Sequence, residues 1–350
     1  MKVLILSAYN AVSHSLLNKG LEKHLSEIDF TVLTLPARYF AWRARGNSLS
    51  FAYEFADELK RGYDHIFATS LTDITALRGL VPEIAQIPLT VYFHENQFEY
   101  PESRSEHTNI EAKIVSIYNA LAADKVLFNT EYNMNSFLDG AGVFLRKMPD
   151  HVPCGLIKEM QSKSEVLSVP IEKMKKRSSA NSVPVILWNH RWEYDKGPEG
   201  FLNVLDELSR RDFDFRLNIL GQTFRQVPDS YKQIKDKFSE KILKSGYIED
   251  RIVYNDIVAE SDIIISTSLH DFQGLSVIEG ADAGCIPVLP DRLAYPYLFS
   301  KDYLYASSKD SAVEASNCAD KIINAAEQKA PDMSYFHWEN LKDKYRELFK

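Results

Sequence analysis

The chain has 350 residues, 45% hydrophobic and 26% charged, with 41 Lys and Arg against 49 Asp and Glu and a net charge of −8. That length is more than one ordinary core holds and predicts two domains of about 150 to 170 residues. The acidic balance counts against a broad nucleic-acid face without excluding a local basic patch, and no apolar run reaches the length of a membrane span.

The first apolar run, 3–6, is too short for a secretory signal and fits a buried first strand. Further strands are predicted at 30–35, 65–69, 89–93 and 125–129, with helices at 15–25, 49–61, 74–81 and 110–122 between them. Strands and helices in strict turn, with β-branched runs that lack polar alternation, imply a parallel sheet covered on both faces. The pattern lapses at 171–182 (IEKMKKRSSANS), a polar and basic stretch that reads as an interdomain linker. Alternation restarts with strands at 183–189, 215–220, 242–246, 263–266, 286–289 and 303–305. Helices are expected at 199–210, 231–239, 250–260, 275–283 and 312–328. The tail, 335–349, reads as an amphipathic helix with Trp338, Leu341, Tyr345 and Leu348 on one face. The fold class is therefore α/β, two Rossmann-like doubly wound domains facing across a cleft, at 1–170 and 183–330. A C-terminal helix at 331–350 is expected to pack back toward the first domain. Three scattered cysteines, Cys154, Cys285 and Cys318, show no metal or redox spacing and point to a reducing, cytoplasmic setting.

Three strand ends carry candidate chemistry. The first, STSLHDFQGLSVIE at 266–279, leaves a buried strand, passes His270 and Asp271, and opens a helix at Gly274 that carries Glu279. The backbone N–H groups of Gly274, Leu275 and Ser276 at that helix start favour a phosphate. Asp271 and Glu279 lie roughly 12 Å apart at helical rise, a distance that suits two hydroxyl-rich groups joined by a diphosphate. The second, ILWNHRWEYDKG at 186–197, presents Arg191 and Lys196, two cations five apart in the loop after a buried strand. Gly221, ending the next strand, allows close backbone approach. The third, YFHENQFEYP at 92–101, brings His94, Glu95 and Asn96 to a strand terminus. The first loop, SAYNAVSH at 7–14, adds Ser13 and His14 as polar contacts. After the second strand, RYFAWRAR at 38–45 interleaves Arg38, Arg43 and Arg45 with aromatics that include Trp42, a composition suited to stacked bases and phosphates.

The segments at 186–197 and 266–279 resemble those of GT-B glycosyltransferases, and the paired acids resemble the Glu-x7-Glu motif of retaining family 4-like members. Together with FHENQ at 93–97, Tyr100 and Pro101, FNTEYNMNSFL at 128–138, Gly284, Cys285 and RLAYP at 292–296, they resemble the tRNA-queuosine mannosyltransferases. The likeness spans most of the chain to about residue 305. It implies GDP-mannose as donor, queuosine in tRNA as acceptor, retention of the α configuration and no metal cofactor. By the same resemblance Arg191 and Lys196 hold the diphosphate, Glu279 the ribose, and Asp271 and His94 lie beside the sugar. The chain departs from the family at Asp271 and Gln273, where the pattern has Glu and Phe, and at Tyr297, where an acid is expected. Two other functions stay open on residues alone: a transferase with a saccharide or lipid acceptor, and a nucleotide-sugar or tRNA binder without activity.

Overall fold

The computed structural model describes residues 1–99, 110–223 and 227–350, which leaves Tyr100 and Pro101 outside the described residues. The chain divides into two compact units, Met1–Pro170 with Trp338–Lys350, and Ile171–His337.

The first unit runs β1 (Lys2–Asn10), α1 (Val12–His24), β2 (Asp29–Pro36), α2 (Phe40–Glu54), α3 (Ala56–Leu59), β3 (His65–Thr69) and α4 (Ile74–Leu80). It continues with β4 (Leu89–Phe93), α5 (Ile110–Ala122), β5 (Lys125–Phe128), α6 (Glu131–Arg146), α7 (Leu156–Ser162) and β6 (Ser164–Val166). Among the described residues the strands form one sheet in the order β2-β1-β3-β4-β5-β6, parallel throughout. β3 and β4 are buried along their whole length, which is why their sequences do not alternate. The order reverses at β1, so the loops after β1 and β3 meet. There Thr72 Oγ1 donates to the Leu6 carbonyl at 3.2 Å and accepts the Ala8 N–H at 3.3 Å.

Several parts of this unit differ from the sequence pattern, the unpredicted α7 and β6 among them. The helix expected from residue 49 begins at Phe40 and ends at Glu54. Asn47 explains the early start: its amide donates to the carbonyls of Arg43 (2.8 Å) and Leu71 (3.1 Å), and its Oδ1 accepts the Asp73 N–H at 2.9 Å. These bonds tie the first turns of α2 to the loop after β3. A further difference is α6, which the pattern did not predict. Asparagines and small residues dilute its apolar period, yet Phe137, Leu138 and Ala141 are buried and Thr130 caps it by accepting the Asn133 N–H at 3.1 Å.

The second unit runs β7 (Val185–Asn189), α8 (Pro198–Arg210), β8 (Arg216–Leu220), α9 (Asp229–Lys237), β9 (Ile242–Gly246) and α10 (Arg251–Ala259). Then come β10 (Ile263–Ile265), α11 (Leu275–Ala283), β11 (Ile286–Pro290), α12 (Tyr295–Leu298), β12 (Leu304–Tyr305) and α13 (Ser311–Ile323). Its described strands form a parallel sheet ordered β12-β11-β10-β7-β8-β9. The order reverses between β7 and β10, and ligands of doubly wound sheets bind beyond the strand ends at such a switch point.

The expected linker at 171–182 is instead part of this unit. Ile171 bridges to His337, and Met174 is buried with its N–H on the Asp282 carboxylate at 2.8 Å. The basic side chains that suggested a solvated run pair with acids: Lys176 with the buried Asp282 (3.0 Å) and Arg177 with Asp262 (2.6 Å). The last helix, α14 (Trp338–Glu347), returns to the first unit. The Trp338 indole lies over Gly20 of α1, where a Cβ would collide with it, and Tyr345 donates to the Ser168 carbonyl at 3.0 Å. Leu348 is only half-buried. Phe349 fills the apolar position, edge-on to Phe30 and His65. No helix among the described residues is long and apolar enough to cross a membrane.

Candidate functional site

In the second unit the loops after β7 and β10 pack backbone to backbone. Gly197 makes this possible: its φ is 63°, and a Cβ there would run into the Thr267 carbonyl. The contact places Lys196 against the second loop, where its Nζ donates to the His270 carbonyl at 2.7 Å. The same ammonium lies 3.2 Å from Asp195 and 3.7 Å from Asp271. Asp271 is fixed on its other sides, accepting the Gly274 N–H at 2.9 Å and the Tyr295 hydroxyl at 3.2 Å. Burial pushes the Asp271 carboxyl up, but Lys196, then His190 and His270, outweigh it and hold the group below the usual carboxylate range. Beside it, burial lowers His190 to about 4, so this imidazole is neutral at neutral pH.

This arrangement corrects two expectations. Of the three N–H groups assigned to a ligand at the start of α11, that of Gly274 is taken by Asp271. Leu275 and Ser276 remain, with no acceptor inside the helix. Gly221 was expected to let backbone approach a ligand. Its close neighbour is protein, because at φ 136° a Cβ would strike the His190 carbonyl. Arg191 is half-exposed, 2.8 Å from Glu193 and 3.9 Å from Asp195.

Glu279 is 6% exposed and its carboxylate is already gripped. Arg251, at the start of α10, pairs with it, and the Tyr254 hydroxyl donates to it at 2.7 Å. Tyr254 in turn accepts from the Asn189 amide at 2.6 Å, at the end of β7. Burial first, then the charge of Glu279, raises the Tyr254 phenol well above its ordinary value, so it stays a donor. Sequence inspection missed Asn189, Arg251 and Tyr254, along with Asp195 and Tyr295. Arg251 and Tyr254 sit on a helix with ordinary polar spacing, and nothing local marks them. Only the crossing of α10 and α11 reveals the network.

In the first unit the loop after β4 carries His94 and Glu95. His94 is 4% exposed, stacks on His14 with ring centroids 3.9 Å apart, and neither of its ring nitrogens has a partner among the described residues. Burial, aided by His14, holds it well below the usual histidine range. His14 bonds Glu95 at 3.2 Å and Ser7 at 3.4 Å. Ser13 stands half-buried in the first turn of α1. Asn96, expected at the substrate, is fully buried and used by the protein. It donates to Asn133 Oδ1 and Ser136 Oγ, both at 2.9 Å, and accepts the Phe98 N–H at 3.0 Å, anchoring the loop to α6. In the 38–45 run Arg43 is buried, Arg45 pairs with Asp73 at 3.0 Å, Arg38 lies 5.7 Å from the Tyr39 ring, and Trp42 is exposed. Among the described residues no group of three or more His, Cys, Asp or Glu side chains is placed to hold a metal ion.

The sequence and the fold both have known relatives. The tRNA-queuosine α-mannosyltransferase N-terminal family matches residues 2–171. A tRNA-queuosine α-mannosyltransferase of Drosophila melanogaster is 33% identical over 318 residues, 87% of this chain and 84% of the fly protein. Sucrose-phosphate synthase from Thermosynechococcus elongatus superposes with a TM-score of 0.73 at 13% identity, covering 100% of this chain and 99% of that one. Anabaena HepE in complex with UDP and glucose gives 0.66 at 14% identity, with 99% of each chain covered. The structural likenesses establish the GT-B fold. With the identity to the fly protein, they make this chain a glycosyltransferase that belongs to the tRNA-queuosine α-mannosyltransferase family.

Proposed function

We propose that the protein transfers mannose from GDP-mannose to the cyclopentenediol of queuosine in tRNA, with retention of the α configuration and without a metal ion. The observation that carries the donor side is the fixed cluster of Lys196, Asp271 and the start of α11 at the sheet's switch point. Lys196, Arg191 and the N–H groups of Leu275 and Ser276 bind the diphosphate and stabilise its charge as the sugar leaves. Glu279 takes the ribose hydroxyls, and Asp271 contacts the mannose.

Both Asp271 oxygens already accept hydrogen bonds, and its carboxyl is held below the usual range, which makes it a poor nucleophile. That supports attack from the face the diphosphate leaves, with the departing phosphate taking the acceptor proton. Trapping a mannosyl ester on Asp271 would exclude this mechanism. The activity itself is tested by incubating the protein with queuosine-containing tRNA and a panel of nucleotide sugars, then weighing the released nucleosides. A hexose gained from GDP-mannose is expected, and no hexose from any donor overturns the proposal. Lys196→Ala should lower turnover at least about a hundredfold, the scale of losing one fixed transition-state donor.

A further inference from the structure

The outer face of α2 has an unusual composition. A helix packed on a sheet normally turns charged residues to water. Here the outward positions are Trp42, Arg45, Leu49 and Tyr53, spaced three or four apart, and the aromatics at 42 and 53 are 58% and 77% exposed. Residues 38–53 contain three Arg and no Asp or Glu, in a chain whose net charge is −8. Just before the helix, Tyr39 holds a left-handed φ of 53° and is 73% exposed, with Arg38 beside its ring.

Trp42 is exposed but held. Its indole lies across Gly46, one turn on, so closely that any Cβ at position 46 would collide with the ring. An indole supported on one side by bare backbone, with its other side accessible, presents a fixed flat surface to solvent. The adjacent Arg38 provides charge complementary to phosphate, and Arg45, paired with Asp73 at 3.0 Å, still exposes part of its guanidinium. Stacking on such a platform requires a planar partner whose own face is free, which describes an unstacked base of single-stranded RNA.

We propose that Trp42, supported by Gly46 and flanked by Arg38, Tyr39 and Arg45, is the stacking platform for a splayed-out base in the single-stranded loop of the tRNA substrate. This rests on the tRNA-modifying function proposed above and specifies where the RNA is held. Gly46 is the unexpected part: its role is to leave room for the Trp42 ring, so it belongs to recognition although it touches no RNA.

The test uses the full-length protein. Trp188, Trp192 and Trp338 are at most 3% exposed, so iodide quenching of tryptophan emission reports chiefly Trp42. A short single-stranded RNA should shield that emission from iodide. Binding of fluorescein-labelled tRNA, followed by anisotropy, should weaken on the order of tenfold in Trp42→Ala and recover in Trp42→Phe. Gly46→Ala should weaken it as well, although Ala is the better helix former, so unfolding does not explain the loss. The KM for GDP-mannose should stay unchanged in all three variants. Unaltered tRNA binding by Trp42→Ala, or shielding by anionic lipid vesicles and not by RNA, overturns the platform. Wild-type protein that binds tRNA through Trp42 yet never transfers a hexose overturns the enzymatic reading and leaves the platform standing.

Discussion

At the scale of single residues, the site is a set of charges whose positions are fixed by neighbours far away in the chain. Lys196 and Arg191 could be named from the sequence, because two cations in the loop after a buried strand match the pattern of the transferases this chain resembles. Their restraints could not: Lys196 donates at 2.7 Å to the His270 carbonyl, 74 residues further along the chain. Glu279 shows the same division. It stands out by its distance from Asp271, whereas its grip by Arg251 and Tyr254 depends on two helices meeting. Tyr254→Phe removes one hydrogen bond to this carboxylate and leaves Asn189 without its acceptor. A bond to a charged group contributes enough that the KM for GDP-mannose should rise about tenfold, with tRNA binding unchanged. An unaltered donor KM in steady-state kinetics would remove Tyr254 from the donor site.

At the scale of elements, most strands were legible because they are buried on both faces and read as unbroken apolar runs. α2, α6 and the 171–182 segment were not, for a shared reason: polar side chains inside them are used by the fold. Asn47 and Asn133 bond backbone, and Lys176 and Arg177 meet buried acids. Asp282 is the anchor of the last segment, taking the Met174 N–H at 2.8 Å and Lys176 at 3.0 Å, with the His337 imidazole 3.0 Å away, while only 1% exposed. Replacing it with Ala strands the buried Met174 N–H, while the exposed Lys176 returns to solvent, and should cost about 1–3 kcal/mol, seen as a lower urea midpoint of the second unit. A loss below about 1 kcal/mol would mean that the segment holds by its apolar residues alone.

At the scale of the whole molecule, buried neutral histidines set the acid limit. Burial lowers His65 and His190 to about 4, against a weak opposing pull of Asp124 on His65, and holds His94 well below its ordinary 6.5. Between pH 6.5 and about 4 the unfolded chain binds protons at these sites that the folded chain refuses. Stability therefore rises with pH across that window and falls on acidification, by roughly a factor of ten in the folding constant per pH unit per histidine. His65 and His94 lie in one unit and His190 in the other, so both should weaken together. Urea titrations at pH 7, 6 and 5 should show falling midpoints, and His65→Gln should flatten the dependence. An equal slope in that variant would exclude His65 as a source.

The two doubly wound sheets and the family are legible in the residue order, as are the strand ends proposed to carry the chemistry. Each follows from local order: apolar runs, the glycines and charges after them, and their spacing. Tertiary structure alone decided which of those groups are open to a ligand. Gly274 gives its N–H to Asp271, Asn96 is absorbed by α6, and Gly221 serves His190. It alone also showed that Trp42 is held face-out on Gly46. Hydrogen-bond partners and exposed faces are set by contacts between distant segments, and the order of residues along the chain does not record them.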